Sequence, residues 1–348
     1  MTRDASPTNR AESGVPFREK ECDRTMAKRP TLDERLATLN VLATRELDAG
    51  GTDALRNALR GANSVLAGKA AQIVGRRGIT ELYEVLPATF ARFLVDSQKK
   101  DKRCHAKTQV VTALRARDIP AGEVFLQGAR FVQMEPAYGG PVDTAVMLRA
   151  ESALGLAAML HPDALLVLTD MLVDPESSPR AAAARALSYL GGEAAALLLR
   201  LKILTGDADP EVLGECFGAL IAIDPTRAVA FVSGYLSDAD DDISQNAALA
   251  LGEHGGESGL RALLDCWERA VLSTARQVLV LPIALSRRPE SRAFLLDAVK
   301  TADPRLAAAA VEALRVHRAD TAFAKEVRDV ALGRKQPVIS RAYVAAFE

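Results

Sequence analysis

Small and apolar residues recur along this chain with the spacing of one face of an α-helix. In the stretch "SSPRAAAARALSYLGGEAA" (177–195), Ala183 and Ala186 stand four residues and one residue before Leu187. Residues at these spacings lie on the same side of a helix. The stretch therefore predicts a helix whose buried face consists mainly of alanine, so that a neighbouring helix can approach closely.

A small residue followed by a leucine, which we call the anchor pair, repeats through the chain, and we call the second residue of each pair the anchor. Successive anchors from Val74 to Leu314 are 29 to 40 residues apart, the length that two helices and two turns require. An apolar block such as "SRAFLLDAVK" (291–300) precedes each anchor helix. The anchors are Val74, Leu114, Leu154, Leu187, Leu220, Leu251, Leu285 and Leu314, with a weaker match at Phe347. The pattern predicts an all-α, right-handed solenoid of about eight helix pairs.

Turn residues support the division of the chain into helix pairs. Asp209-Pro210 and Asp303-Pro304 place an N-cap carboxylate and a first-turn proline before the second helix of a pair, and Ser178-Pro179 predicts the same. Gly191-Gly192 and Gly255-Gly256 end second helices.

The units "DPEVLGECFGALIAID" (209–224), "DDDISQNAALALGEHG" (240–255) and "ADPRLAAAAVEALRVH" (302–317) each join a turn to a helix of small residues. They resemble HEAT repeats, specifically the short bacterial HEAT-like type that also occurs in phycobilin lyases. The resemblance covers residues 52–348 and is clearest over 145–318. It implies stacked helix pairs whose second helices line the concave side.

Other segments depart from the repeat. Residues 1–28 are polar and predict a disordered tail, in which Met26 is an alternative start. Residues 29–51 predict a capping helix that begins with a capping box of Thr31 and Glu34. The Pro/Gly-rich segment 134–144 is consistent with a hinge or a binding loop, and we favour a simple insertion.

Composition indicates a protein of the reducing cytoplasm. Apolar residues make up 49% of the chain, but no run approaches the length of a membrane span and the N-terminus lacks a secretory signal. The four cysteines are widely spaced, and Cys216 falls on the predicted core face. Residues 1–130 carry 23 Lys and Arg against 16 Asp and Glu, whereas the remainder carries 21 against 29. The two parts could therefore prefer different partners.

Candidate chemistry is sparse. HEAT-like deoxyhypusine hydroxylases hold iron with repeated His-Glu pairs, and this chain has no "HE". The aspartates Asp238, Asp240, Asp241 and Asp242 lack the spacing of a calcium loop, and they precede a helix, where negative charge is favourable. No phosphate-binding loop or nucleophile elbow occurs. We expect no cofactor, no metal and no catalytic site.

The sequence argues against nucleic acid as a partner. The basic run "KKDKRCHAK" (99–107) could hold phosphates, but Trp267, the one tryptophan, lies far from it in the acidic part. The alternative is nevertheless a HEAT-like enzyme or nucleic-acid-binding protein, related to the lyases or to DNA glycosylases.

The exposed face of the second helices remains as the candidate site. Positions five and two residues before each anchor point away from the buried face and form a ladder across the repeats. This ladder consists of Lys69, Gln72, Gln109, Thr112, Arg149, Ser152, Arg185, Glu215, Asn246 and Glu312. The sequence thus predicts a non-enzymatic scaffold or adaptor that binds a protein partner on its concave face, without nucleic acid or membrane.

Overall fold

The computed structural model describes residues 30–348, so the tail expected at residues 1–28 lies outside the described part of the chain. Within residues 30–348, the helices form nine pairs, each with a first and a second helix. The first helices are α2 (Ala49–Arg60), α4 (Val85–Leu94), α7 (Gly122–Ala129), α9 (Ala164–Met171), α11 (Gly192–Thr205), α13 (Pro225–Ser233), α15 (Gly256–Arg269), α17 (Pro289–Thr301) and α19 (Thr321–Gly333). The second helices are α3 (Ser64–Arg77), α6 (His105–Arg115), α8 (Val146–Ala158), α10 (Ser177–Leu190), α12 (Pro210–Ile223), α14 (Asp241–His254), α16 (Ser273–Leu285), α18 (Pro304–Leu314) and α20 (Pro337–Phe347).

Besides four short 3-10 helices, two α-helices and two strands of residues 30–348 lie outside the pairs: α1 (Leu32–Leu42), α5 (Ser97–Lys100), β1 (Met134–Glu135) and β2 (Val142–Asp143). The predicted capping box is confirmed, because the Glu34 N–H donates to Thr31 Oγ1 and the Thr31 N–H donates to Glu34 Oε2. Helix α1 packs on α2 and α3 at the start of the array. Segment 134–144 contains an antiparallel hairpin of β1 and β2.

The predicted turns are mostly confirmed. The carboxylates of Asp209 and Asp303 cap α12 and α18, with proline in the first turn of each. The start of α10 differs from the prediction, because this helix already begins at Ser177. Its N-cap residue is Glu176, whose side chain makes no capping hydrogen bond.

The second helices form a continuous layer, in which each packs extensively against the next, whereas neighbouring first helices make fewer contacts. Small residues allow this approach. A Cβ atom added at Gly75 of α3 would lie 2.8 Å from the Cα of Ala113 in α6. Ala183 and Ala186 of α10 are fully buried. Closer packing in one layer bends a two-layer array toward that layer, so we assign the concave side to the second helices.

The buried face matches the predicted anchors in most second helices, but not in α8. Near the end of α8, Leu156 is fully buried, whereas the predicted anchor Leu154 is half-buried. A Cβ atom at Gly155 would lie 2.4 Å from the ring of Phe125 in α7. The contact between this ring and a glycine therefore selects Gly155-Leu156 as the anchor pair, two residues beyond the predicted one.

Helix α16 shows a shift in the opposite direction. Ile283 is fully buried, whereas Leu281, which stands four residues before the predicted anchor Leu285 and so on the predicted buried face, is 40% exposed. The carbonyl oxygen of Pro282 lies so close to α14 that a Cβ atom at Gly252 would be 2.2 Å from it. This close contact places Pro282-Ile283 at the anchor position, two residues before the predicted pair Ala284-Leu285.

With these anchors corrected, basic residues recur seven positions before the anchor. Lys107, Arg149, Arg180 and Arg276 occupy this position in α6, α8, α10 and α16. Each side chain hydrogen-bonds to groups in a connection between a first and a second helix. Three of the four, Lys107, Arg149 and Arg180, also bond to the connection of the next unit and so hold neighbouring units together at one edge of the array. Arg276 bonds to Ala270 of its own unit.

Arg149 and Ser152 therefore do not belong to the exposed ladder that the sequence predicted. The Arg149 guanidinium is 3% exposed; it pairs with Asp143 of its own unit and with both carboxylate oxygens of Asp174 in the next unit. The Ser152 hydroxyl is fully buried and donates to the Leu148 carbonyl at 2.7 Å. Because the buried anchor of α8 lies two residues beyond the predicted one, Arg149 and Ser152 lie on the buried face of this helix.

Arg180 makes the same kind of contact one unit further on. Its guanidinium donates to both oxygens of Asp207, at 2.8 and 2.7 Å, and Lys202 donates to Asp207 at 2.7 Å. Burial alone would raise the pKa of Asp207, but hydrogen bonds from Arg180, Lys202 and the Asp209 N–H lower that pKa to about 2.

We predict that Arg149→Ala lowers the free energy of unfolding by about 3–5 kcal/mol, because it leaves two nearly buried carboxylates without their cation. Arg185→Ala is the matched control. Arg185 is about half exposed and pairs with Glu215 at the surface, so its loss should lower that free energy by less than about 1 kcal/mol. Urea unfolding of both variants measures the difference, and equal losses would contradict the assignment of Arg149 to the core.

We also predict a pH-dependent effect of Asp207→Asn. The pKa of Asp207 is lower in the folded chain than in an unfolded one, so its charge stabilises the fold above about pH 4, and this stabilisation is lost as the pH falls toward 2. The variant should therefore be less stable than the wild type by about 2–3 kcal/mol at pH 7, by about half of that at pH 3, and nearly equal to it at pH 2.

Urea unfolding at these three pH values provides the measurement. Asp170→Asn, at an exposed position of the first helix α9, makes the same chemical change and serves as the control, which should show no such trend. A stability difference for Asp207→Asn that stays constant from pH 7 to pH 2 would refute the ion-pair explanation.

Candidate functional site

The ladder residues of the first two second helices lie at the surface of this layer. Lys69 and Gln72 on α3 are half-buried, and the Lys69 ammonium donates to Gln72 Oε1 at 3.4 Å. Gln109 and Thr112 on α6 are also half-buried. These four side chains line the face that the sequence predicted.

Three other ladder residues converge on one groove. Arg185 of α10 donates to Glu215 Oε1 of α12 at 3.2 Å. Asn246 of α14 donates from its side-chain amide to the Pro210 carbonyl of α12 at 3.2 Å. The structure thus brings three predicted residues from three successive units to one place.

We call this feature the second-helix groove. It is an open depression of about 580 Å³ across α10, α12 and α14. Its lining residues are Arg185, Ser188, Tyr189, Glu211, Gly214, Glu215, Gly218, Ala219, Ala222, Asn246, Leu249, Ala250, Glu253 and His254. Glu312, the remaining ladder residue, lies in a separate depression of about 420 Å³ across α16, α18 and α20.

Glycine residues of α12 form the floor of the groove. A Cβ atom at Gly214 would lie 3.0 Å from Asn246 Oδ1, and one at Gly218 would lie 3.1 Å from the His254 ring. Both distances are tighter than ordinary van der Waals contact, so these glycines allow the side chains of α14 to lie across α12. The small side chains of Ala219 and Ala222 continue the floor.

The groove carries an excess of negative charge. Its carboxylates belong to Glu211, Glu215 and Glu253, and Arg185, its one arginine, pairs with Glu215. Tyr189 adds an aromatic ring at the rim and is 73% exposed. A groove of this kind suits the positive charge of a lysine or arginine, which can also stack on an aromatic face.

Sequence reasoning missed Glu211, Glu253 and Tyr189, although a signal for them was present. Glu211 stands nine residues before its anchor, and Glu253 and Tyr189 stand two residues after theirs. On a helix, these positions lie on the same face as those five and two residues before the anchor. Extending the ladder by one helical turn in each direction would have included all three residues.

Groups that could support other chemistry are sparse in the described part of the chain. Among residues 30–348, no cluster of three His, Cys, Asp or Glu side chains has the arrangement of a metal site. Cys216 is fully buried, as predicted, and burial raises the pKa of its thiol to about 12. Over the same range, every helix is too short or too polar to span a membrane.

Comparison with known proteins identifies the repeat. A family model described as HEAT repeats matches residues 197–284, which include α12 and α14 of the groove. No curated protein matches the chain significantly.

Solved structures align with most of the chain but superpose poorly. An engineered protein covers 92% of this chain and 95% of its own, at 16% identity and a TM-score of 0.39. Human deoxyhypusine hydroxylase in complex with glycerol covers 74% and 92%, at 16% identity and a TM-score of 0.29. A second engineered protein covers 84% and 93%, at 15% identity and a TM-score of 0.18. At these TM-scores, the alignments carry no argument about function.

The family match and the helix pairs support the same conclusion. Residues 197–284 match HEAT repeats, and the helix pair found there recurs in the structure from Ala49 to Phe347. Residues 197–284 are therefore identified as HEAT repeats, and the rest of the array has the same helix-pair architecture.

Proposed function

We propose that this protein is a non-enzymatic scaffold that binds an extended, basic segment of a protein partner in the second-helix groove. The observation that carries the proposal is the convergence of Glu211, Glu215, Glu253 and Tyr189 over a floor of glycine and alanine. Stacked repeats provide extended concave surfaces, which suit a long ligand.

The chemistry of the groove favours a peptide over a compact small molecule. The groove is open along three helices, and its polar groups are spread along the rim rather than gathered in an enclosed pocket. Basic side chains of a peptide would meet the carboxylates and Tyr189, and its small or apolar residues would lie on Gly218, Ala219 and Ala222. Charge complementarity of this kind gives specificity and speeds association.

The architecture also separates binding from folding. Exposed residues of the groove lie on the side of α12 opposite to Val212 and Leu213, which are buried in the core. Side chains in the groove can therefore be changed without altering the packing between units. The separation of groove residues from core residues supports a binding role, because the groove can be adapted to a partner while the packing of the repeats stays the same.

A labelled 12-residue peptide of alternating arginine and leucine provides a direct test. We expect the double variant Glu211→Lys, Glu253→Lys to bind this peptide about tenfold more weakly than the wild type, a loss of about 1.4 kcal/mol of binding free energy. Ala222→Trp, which fills the floor and changes no charge, should also weaken binding. Fluorescence anisotropy measures each affinity, and circular dichroism confirms folding.

The double variant Glu290→Lys, Asp297→Lys on α17 is the matched control, because it changes the net charge equally at exposed positions of a first helix. It should bind the peptide nearly as well as the wild type. Equal weakening in both double variants would mean that net charge alone attracts the peptide, and the groove would then have no specific role.

A further inference from the structure

Two neighbouring units differ from the rest in the connection between their first and second helices. Residues 95–104 join α4 to α6, and residues 130–145 join α7 to α8. The corresponding connection between α17 and α18 consists only of residues 302–303. Because both long connections run from a first to a second helix, they lie at the same edge of the array. We call residues 95–104 and 130–145 together the hairpin edge.

The two connections form one structure. Gln98 donates from its side-chain amide to the Met134 carbonyl at 2.9 Å, and the Arg103 N–H donates to Glu135 Oε1 at 2.6 Å. Gln133 donates from its side-chain amide to the Asp101 carbonyl at 2.8 Å. The hairpin of β1 and β2 is therefore bound to the neighbouring unit through β1 and the residue before it.

A fully buried ion pair anchors this structure in the core. The Lys107 ammonium donates to Asp101 Oδ2 at 2.9 Å, to Gln133 Oε1 at 3.2 Å and to the Phe93 carbonyl at 3.2 Å. It also lies 5.0 Å from the centre of the Phe131 ring. A buried lysine with these partners fixes both connections in one arrangement, because losing either Lys107 or Asp101 would leave the other charge buried and unpaired.

The backbone of the basic connection is held in an unusual conformation. Asp96, Arg103 and Cys104 have φ angles of 52°, 59° and 52°, in the left-handed region that residues other than glycine rarely adopt. Such conformations persist where the surrounding structure enforces them, and they concentrate at functional segments. Here they direct a run of basic side chains to the surface.

This rigid edge exposes positive charge and apolar side chains together. Lys99, Lys100, Lys102 and Arg103 are all exposed, and Lys100 pairs with the exposed Asp96 at 3.3 Å. For the other three cations, no carboxylate of residues 30–348 lies within 4.0 Å. The exposed apolar side chains of the edge are Val95, Val132, Met134, Tyr138 and Val142, of which Tyr138 at the hairpin tip is fully exposed.

We propose that the hairpin edge is a second docking surface, which binds an acidic segment of a protein partner that also carries apolar side chains. The cations would meet the carboxylates of the segment, and Tyr138 and Met134 would serve as anchors for its apolar residues. The edge is preformed, so little conformational entropy is lost when the segment binds.

A protein segment fits this surface better than a nucleic acid does. Single-stranded nucleic acids are bound by several stacked aromatic side chains beside a basic groove. The hairpin edge offers a single exposed aromatic side chain, and its other exposed apolar groups are Val95, Val132, Met134 and Val142. Aliphatic side chains beside lysines match a polypeptide in which acidic and apolar residues alternate.

The proposal is independent of the second-helix groove. The groove carries an excess of carboxylates, whereas the hairpin edge carries an excess of cations. The two surfaces would therefore select segments of opposite charge, and either could bind while the other did not. Such an arrangement would allow this chain to bring two partners together.

The test uses a labelled 12-residue peptide of alternating glutamate and phenylalanine, with a 12-residue oligothymidine as the nucleic-acid probe. We expect the chain to bind the peptide more tightly than the oligonucleotide at about 150 mM salt, near physiological ionic strength. The variant Lys99→Glu, Lys102→Glu, Arg103→Glu should bind the peptide at least about tenfold more weakly. Tyr138→Ser, which changes no charge, should weaken binding about threefold or more.

The control variant Arg315→Glu, Arg318→Glu, Lys325→Glu makes the same change of net charge at exposed residues far along the chain and should bind the peptide like the wild type. Circular dichroism and urea unfolding verify that every variant is folded. Three results would overturn the proposal: equal weakening in the control, tighter binding of the oligonucleotide with a steep salt dependence, or a dimer in sedimentation that the charge reversals dissociate.

Discussion

The close approach of neighbouring second helices is the constraint on which the rest of the structure depends. Gly75 meets Ala113 between α3 and α6, and Gly252 meets the Pro282 carbonyl between α14 and α16, at distances that leave no room for a larger side chain. Because these helices touch along their small residues, the units stack tightly in one layer and the array bends toward it. The groove exists for the same reason, since its floor at Gly214 and Gly218 is part of this layer.

Packing and polar contacts have different places in this architecture. Apolar small residues join the centres of the second helices, whereas Lys107, Arg149 and Arg180 join the units at one edge through polar bonds to the connection of the next unit. At the edge, a longer connection can be added without disturbing the layer, as the anchored hairpin of β1 and β2 shows. The concave face of the second helices remains exposed to solvent. The proposed acidic groove and the proposed basic edge therefore rest on one scaffold but on separate sets of side chains.

The helices, most of their caps and the small-residue face could be predicted from the sequence, because local spacing and turn chemistry determine them. The position of the buried anchor pair within α8 and α16 could not be predicted from the sequence. Each helix offers two candidate anchor pairs two residues apart, and contacts with Phe125 and Gly252 from distant parts of the chain select between them. This choice buried Arg149 and Ser152, although both had been predicted for the candidate site. Arg185, Glu215 and Asn246 were predicted correctly as surface residues of one face, but their convergence in a groove depends on how successive units stack.

The stability of Ala183→Leu and Ala186→Leu tests the central claim most directly, because both alanines lie fully buried on the face of α10 within the second-helix layer. The account predicts that each change lowers the free energy of unfolding by about 1–3 kcal/mol through overpacking. Ala194→Leu, at an exposed position of the first helix α11, should change it by no more than about 0.5 kcal/mol. If urea unfolding showed that the two buried alanines accept leucine without loss, close packing of small residues would not be what holds the array together.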